Sequence, residues 1–189
     1  APHAPAASAP TPGASPELPE TVVRASRPAP APDLEALLIA ARARVLGRPG
    51  VDVLRAWAGE HAQPGFGAQP LPRRAAALYA AALAEAQLRD LPKAEALAAQ
   101  LATLVAGDVP AAQQARLLQA ELALQAGQPA RALQLLPAAP RPSAADARGQ
   151  AGRAVLLLRA QAQTQSGQAA QAAGALQTWV SDHPADAGA

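Results

Sequence analysis

The sequence predicts an all-α protein made of antiparallel helical hairpins, on three observations. Alanine, leucine and glutamine dominate the chain, and these side chains lose little on entering a helix. The residues that strands favour are scarce, with one isoleucine (Ile39), one phenylalanine and one tyrosine in 189 residues. Apolar residues recur at helical spacing between short breaks that carry Gly, Asp or Pro. Half the residues are hydrophobic and 16% are charged, which separates the chain from disordered sequences.

Residues 1–32 hold nine of the 20 prolines, separated by Ala, Ser and Thr. Proline fixes φ and removes a donor, so this stretch reads as a disordered linker without a core. At Asp33 the pattern changes. Asp33 is a candidate N-cap for a helix through Leu34, Leu37, Leu38, Ala41 and Val45, with Gly47 to end it. A second helix follows Pro49-Gly50 and places Val51, Leu54 and Trp57 on one side. The two helices together read as a degenerate hairpin over 33–63. The Gly- and Pro-rich stretch Gln63 to Pro72 reads as a loop.

From there, through residue 184, three helix pairs are predicted: 73–89 with 91–105, 110–126 with 129–137, and 147–166 with 169–182. Connectors of a few residues imply antiparallel neighbours. The turns are centred on Arg89, Gly127 and Gly167, 38 and then 40 residues apart. Ala82, Ala120 and Ala160 precede the turns at matching positions, and Ala94, Ala132 and Ala172 follow them. Small residues there allow two helix backbones to approach closely. This pattern resembles the tetratricopeptide repeat, whose unit is about 34 residues. The resemblance implies a stacked α-solenoid of hairpins. Arg89 stands where the first turn would carry glycine, and Glu85, Ala123 and Gln163 stand where tyrosine is usual. Pro184 matches the proline that closes the unit.

Several chemistries are excluded. Without cysteine there is neither a disulfide framework nor a thiolate metal site. Sixteen basic against fourteen acidic residues give a net charge of +2, in no block of one sign, so no nucleic-acid surface is expected. No apolar run approaches the ~20 residues of a membrane span, and no signal peptide is legible. His3, His61 and His183 stand far apart in the sequence, and no His-Glu-x-x-His, phosphate-binding loop or nucleophile elbow is present. The expectation is a chain with no active site, cofactor or stoichiometric zinc of its own.

What remains is surface. In tetratricopeptide arrays the first helix of each pair lines the concave face. Transferring that face by the turn positions selects Tyr79, Leu83 and Gln87, then Gln114, Leu117, Glu121 and Gln125, then Leu157, Gln161 and Gln165. Such a strip, apolar with amide edges, suits an extended segment or an amphipathic helix.

The order of segments carries a second resemblance. Leu18-Pro19-Glu20-Thr21 is followed by Ala41-Arg42-Ala43-Arg44-Val45-Leu46, by Val51-Asp52-Val53-Leu54-Arg55-Ala56-Trp57, by the hairpins, and by Leu176-Gln177-Thr178-Trp179-Val180. Over residues 17–184 this looks like the C-terminal region of periplasmic zinc metalloproteases of the β-barrel assembly-enhancing type. These join an HtpX-like peptidase domain to tetratricopeptide repeats. The family often has His-Pro before the Leu-Pro of the linker, where Pro16-Glu17 stand here. The resemblance implies a periplasmic protein-interaction region belonging to a longer protein, with zinc only in a peptidase domain outside this stretch. The implied partners are the outer-membrane β-barrel assembly machinery and its clients. A free-standing repeat scaffold without a peptidase is the alternative reading.

Overall fold

The computed structural model describes residues 33–47, 49–137 and 149–182, the side chains of 149–151 excepted. The expected linker at 1–32, the prolines beyond Pro137, and His3, His183 and Pro184 lie outside those residues. The described residues are all-α: α1 (Leu34–Leu46), α2 (Val51–Gly59), α3 (Leu71–Gln87), α4 (Leu91–Leu104), α5 (Val109–Gln125), α6 (Pro129–Leu135), α7 (Gly149–Gln165) and α8 (Ala169–Asp182). Two 3₁₀ turns, Glu60–Ala62 and Phe66–Ala68, fill part of the connection between α2 and α3.

Helix boundaries follow local chemistry. Asp33 caps α1 by accepting from the Glu35 and Ala36 N–H groups, and Asp108 caps α5 by accepting from Ala111 N–H at 2.9 Å. Asp90 caps α4 through the Lys93 N–H and also meets Lys93 Nζ at 2.8 Å. Those bonds from Lys93 hold the Asp90 carboxyl below its ordinary range. Helix α3 starts at Leu71, earlier than expected, because Pro72 falls in its first turn, where a missing N–H breaks no helical bond. Helix α6 stops at Leu135, earlier than expected. Leu136 is extended (ψ 136°), as the residue before Pro137 prefers to be.

One turn occurs three times. After α3, Arg89 N–H bonds Ala86 O and Asp90 N–H bonds Glu85 O. After α5, Gly127 bonds Leu124 and Gln128 bonds Ala123; after α7, Gly167 bonds Thr164 and Gln168 bonds Gln163. This is the Schellman pattern, which needs a left-handed residue at its centre. Arg89, Gly127 and Gly167 have φ of 70°, 71° and 78°. Arg89 therefore adopts the glycine conformation without being glycine.

Packing pairs α3 with α4, α5 with α6 and α7 with α8, while α4 also meets α5 and α6 meets α7. Helices α1 and α2 depart from expectation. They do not form a hairpin packed on itself; both lie against α3, and α1 reaches α5 as well. The two meet where the Arg44 guanidinium lies 4.9 Å from the centre of the Trp57 ring. The reason is the apolar stripe of α1. Leu34, Leu38, Ala41 and Val45, alternately four and three residues apart, need more cover than α2 offers, since α2 buries only Leu54 and Ala58.

Two buried clusters result, and α5 serves both. Ala111, Ala115, Leu118 and Leu122 join the cluster that holds the α1 stripe, Tyr79, Leu83, Leu97 and Leu101. Leu117, Ala120, Ala123 and Leu124 join Ala132, Leu136, Val155 and Ala162. The six alanines at the matching positions, Ala82, Ala120, Ala160, Ala94, Ala132 and Ala172, are all buried.

Candidate functional site

Helix α1 runs parallel to α5 at constant register. Gln114 Nε2 donates to Glu35 Oε1 at 3.2 Å, and Arg42 Nη1 donates to Glu121 Oε2 at 2.7 Å. Both pairs are 79 residues apart in the sequence, so one heptad on α1 matches one heptad on α5. Toward α3, Arg42 also donates to the Tyr79 hydroxyl at 3.5 Å, and Gln87 Nε2 donates to Val45 O at 3.1 Å. Burial opposes the Arg42 charge, but Glu121 and Tyr79 more than offset it and hold the guanidinium above its ordinary pKa. Burial likewise pushes the Tyr79 phenol up, against the opposing pull of Arg42.

The residues selected from sequence therefore do not form one open face. Tyr79, Leu83 and Gln114 are buried in the region that α1 covers, and Leu117 is buried in the second cluster. Glu121 is half-buried against Arg42. Gln87, Gln125, Leu157, Gln161 and Gln165 are exposed. The matching residues Tyr79, Leu117 and Leu157 are 1%, 6% and 51% exposed, so the face opens from α3 toward α7. The correction has a plain cause: a turn position identifies which side of α3 faces inward, but not what lies on top of it.

Sequence reasoning missed the α1 residues. Glu35, Ile39, Arg42 and Leu46 form the stripe next to the buried one. Glu35 and Arg42 bond α5, while Ile39 and Leu46 remain 50% and 49% exposed. The available signal was an acid and a base one heptad apart beside a complete apolar stripe. Where α1 ends, a cleft of about 400 Å³ opens between Leu46, Leu83, Ala86, Gln87, Glu121 and Gln125, with Arg89 at its side. The last residues of α1, α3 and α5 (Leu46, Gln87 and Gln125) all line it. Leu46, Leu83 and Ala86 share its lining with two amides, one paired acid and one base.

Among the described residues, no group of three His, Asp or Glu is placed to hold a metal ion. No described helix is long and apolar enough to cross a membrane. Compared with protein-family models, with curated proteins and with solved structures, the chain matches none.

Proposed function

We propose that the chain is a protein-interaction domain in which α3–α4, α5–α6 and α7–α8 are three tetratricopeptide-like hairpins stacked as a solenoid. The observation that carries this reading is the single turn geometry at Arg89, Gly127 and Gly167, with a buried alanine at matching places on either side. Partner binding is assigned to the part of the inner face that α1 leaves uncovered: Gln125, Leu157, Gln161 and Gln165. The order of segments along the chain supports a further assignment. The domain serves a periplasmic zinc metalloprotease in outer-membrane protein assembly and quality control, and its partners are the β-barrel assembly machinery and its clients.

In-cell photo-crosslinking tests this. A photoreactive residue is placed at Leu157 or Gln165, with the exposed Gln100 of α4 as control. Adducts to assembly components or unfolded β-barrel clients from the first two positions, and not from the third, are expected. Equal adducts from all three, or none, would overturn the reading.

A further inference from the structure

We propose that the cleft where α1, α3 and α5 end is a binding site for a small amphipathic monoanion, an aliphatic carboxylate, and that Arg89 holds its charged end. Leu157, Gln161 and Gln165 are not among the residues that line this cleft, so the site stands or falls apart from the partner face.

Arg89 is the anomaly that points there. The three turns share one geometry, and at two of them the left-handed position is glycine. Space does not decide the difference, because a Cβ on Gly127 or Gly167 would meet no atom within 4 Å. Nor does the Arg89 side chain help to close its turn. It is exposed and forms neither an ion pair nor a hydrogen bond among the described residues. A side chain that strains its own backbone without bonding to the fold points to a functional position. Of the three turn residues, Arg89 is the one that lines this cleft of about 400 Å³. That volume falls within the range of small-ligand pockets, ~300–1,000 Å³.

The lining sets the chemistry of the ligand. Two of its polar groups are committed, Glu121 to Arg42 at 2.7 Å and Gln87 Nε2 to the Val45 carbonyl at 3.1 Å. The uncommitted ones are the Arg89 guanidinium and the Gln125 amide, which is exposed and has no hydrogen bond among the described residues. A guanidinium fork meets a carboxylate through two parallel N–H bonds, and an amide N–H can add a third. One free cation near the Glu121 carboxylate favours a single negative charge over a dianion such as a phosphate ester. The half-exposed Leu46 shares the lining with Leu83 and Ala86, and these give an apolar tail its contacts. A polypeptide fits less well, since its backbone amides would need partners and a single free amide remains beside the guanidinium.

Octanoate is the probe, titrated into the isotope-labelled full chain and followed by NMR. Saturable one-to-one shifts of the Arg89 and Gln125 side-chain N–H signals are expected. Acetate lacks the tail, octanol lacks the charge and octylamine reverses it, so each should bind at least tenfold more weakly. Arg89→Gly should weaken octanoate binding at least tenfold while keeping the fold, since glycine occupies the same position at both other turns. Arg89→Lys keeps the charge without the fork and should weaken binding a few-fold, and Leu46→Asp at least tenfold. Arg73→Gln, at an exposed residue in the first turn of α3 and so at the opposite end of that helix from the cleft, should leave binding unchanged. Circular dichroism of each variant establishes that it is folded. No saturable shift, octanol binding as tightly as octanoate, or full binding by folded Arg89→Gly overturns the proposal. So does a tripeptide with a C-terminal leucine that binds more tightly than octanoate, since the end of a polypeptide would then be the ligand. Crosslinks from Leu157 and Gln165 bear on the partner face alone, so failure of either assignment leaves the other standing.

Discussion

Arg42 and Glu121 are 79 residues apart in the chain, yet Nη1 and Oε2 lie 2.7 Å from one another, and this pair ties α1 to the C-terminal part of α5. Both side chains are half-buried, and Tyr79 takes a second bond from the same guanidinium nitrogen.

Removing one partner should therefore cost more than a surface ion pair does. Arg42→Ala leaves Glu121 without its cation and Tyr79 without its donor, and should lower stability by about 1–2 kcal/mol. Glu121→Gln keeps an acceptor for Arg42 and should cost less. Urea melts of both single variants and the double variant give the coupling energy, and zero coupling would contradict the contact.

Tyr79 supplies a pH test, because it is the single tyrosine of the chain. Its folded pKa is raised by burial, so its contribution to stability is present below the unfolded value of ~10 and is lost as pH rises through the folded value. Absorbance at the tyrosinate band should rise late, together with loss of helical circular dichroism. An ordinary, reversible titration with the helices intact would show an accessible phenol.

Arg89 holds a backbone conformation that glycine adopts freely, with φ at 70°. Arg89→Gly should stabilise the protein by about 0.5–1 kcal/mol, the relief of left-handed strain being partly offset by a more flexible unfolded chain. Gly127→Ala and Gly167→Ala should destabilise by about 1 kcal/mol each. An added Cβ meets no atom within 4 Å at either site, so the effect would be conformational and not a clash. Thermal melts that rank the three variants otherwise would contradict the shared turn.

Ala132 is fully buried in the second cluster, beside Ala120 and Leu136. Ala132→Leu should overpack that contact and cost about 1–3 kcal/mol. The neighbouring Arg131 donates to Glu95 of α4 at 3.1 Å from a half-exposed position. Arg131→Ala should stay within about 1 kcal/mol. Denaturant midpoints reversed from this order would displace the proposed repeat register.

The contrast between α3–α8 and α1 explains what was legible in the sequence. Turns and close helix contacts are local, and they leave glycine, aspartate, proline and alanine at fixed places. Hence Asp33, Asp90 and Asp108 mark helix starts, and Ala94 and Ala132 mark contacts, through residue type and spacing alone. The docking of α1 is not local. It depends on Glu35, Arg42 and the Val45 carbonyl meeting Gln114, Glu121 and Gln87 far along the chain, and no spacing rule links such positions. Tyr79 and Leu83 lie on the side of α3 that turn geometry selects, but covered by an element that turn geometry does not know about.

The position of α1 also orders the assembly of the protein in time. The turn at Gly127 closes a chain of a few residues, whereas the bonds that seat α1 join positions 37, 42 and 79 residues apart. Long closures lose more chain entropy and are formed after local ones. Docking of α1 is then the late step of folding, and its release the early step of unfolding. Amide hydrogens of α1 should exchange through a partial opening that leaves those of α5 protected. The helix that covers Tyr79 and Leu83 is then also the one whose departure would expose them, while the rest of the molecule stays folded.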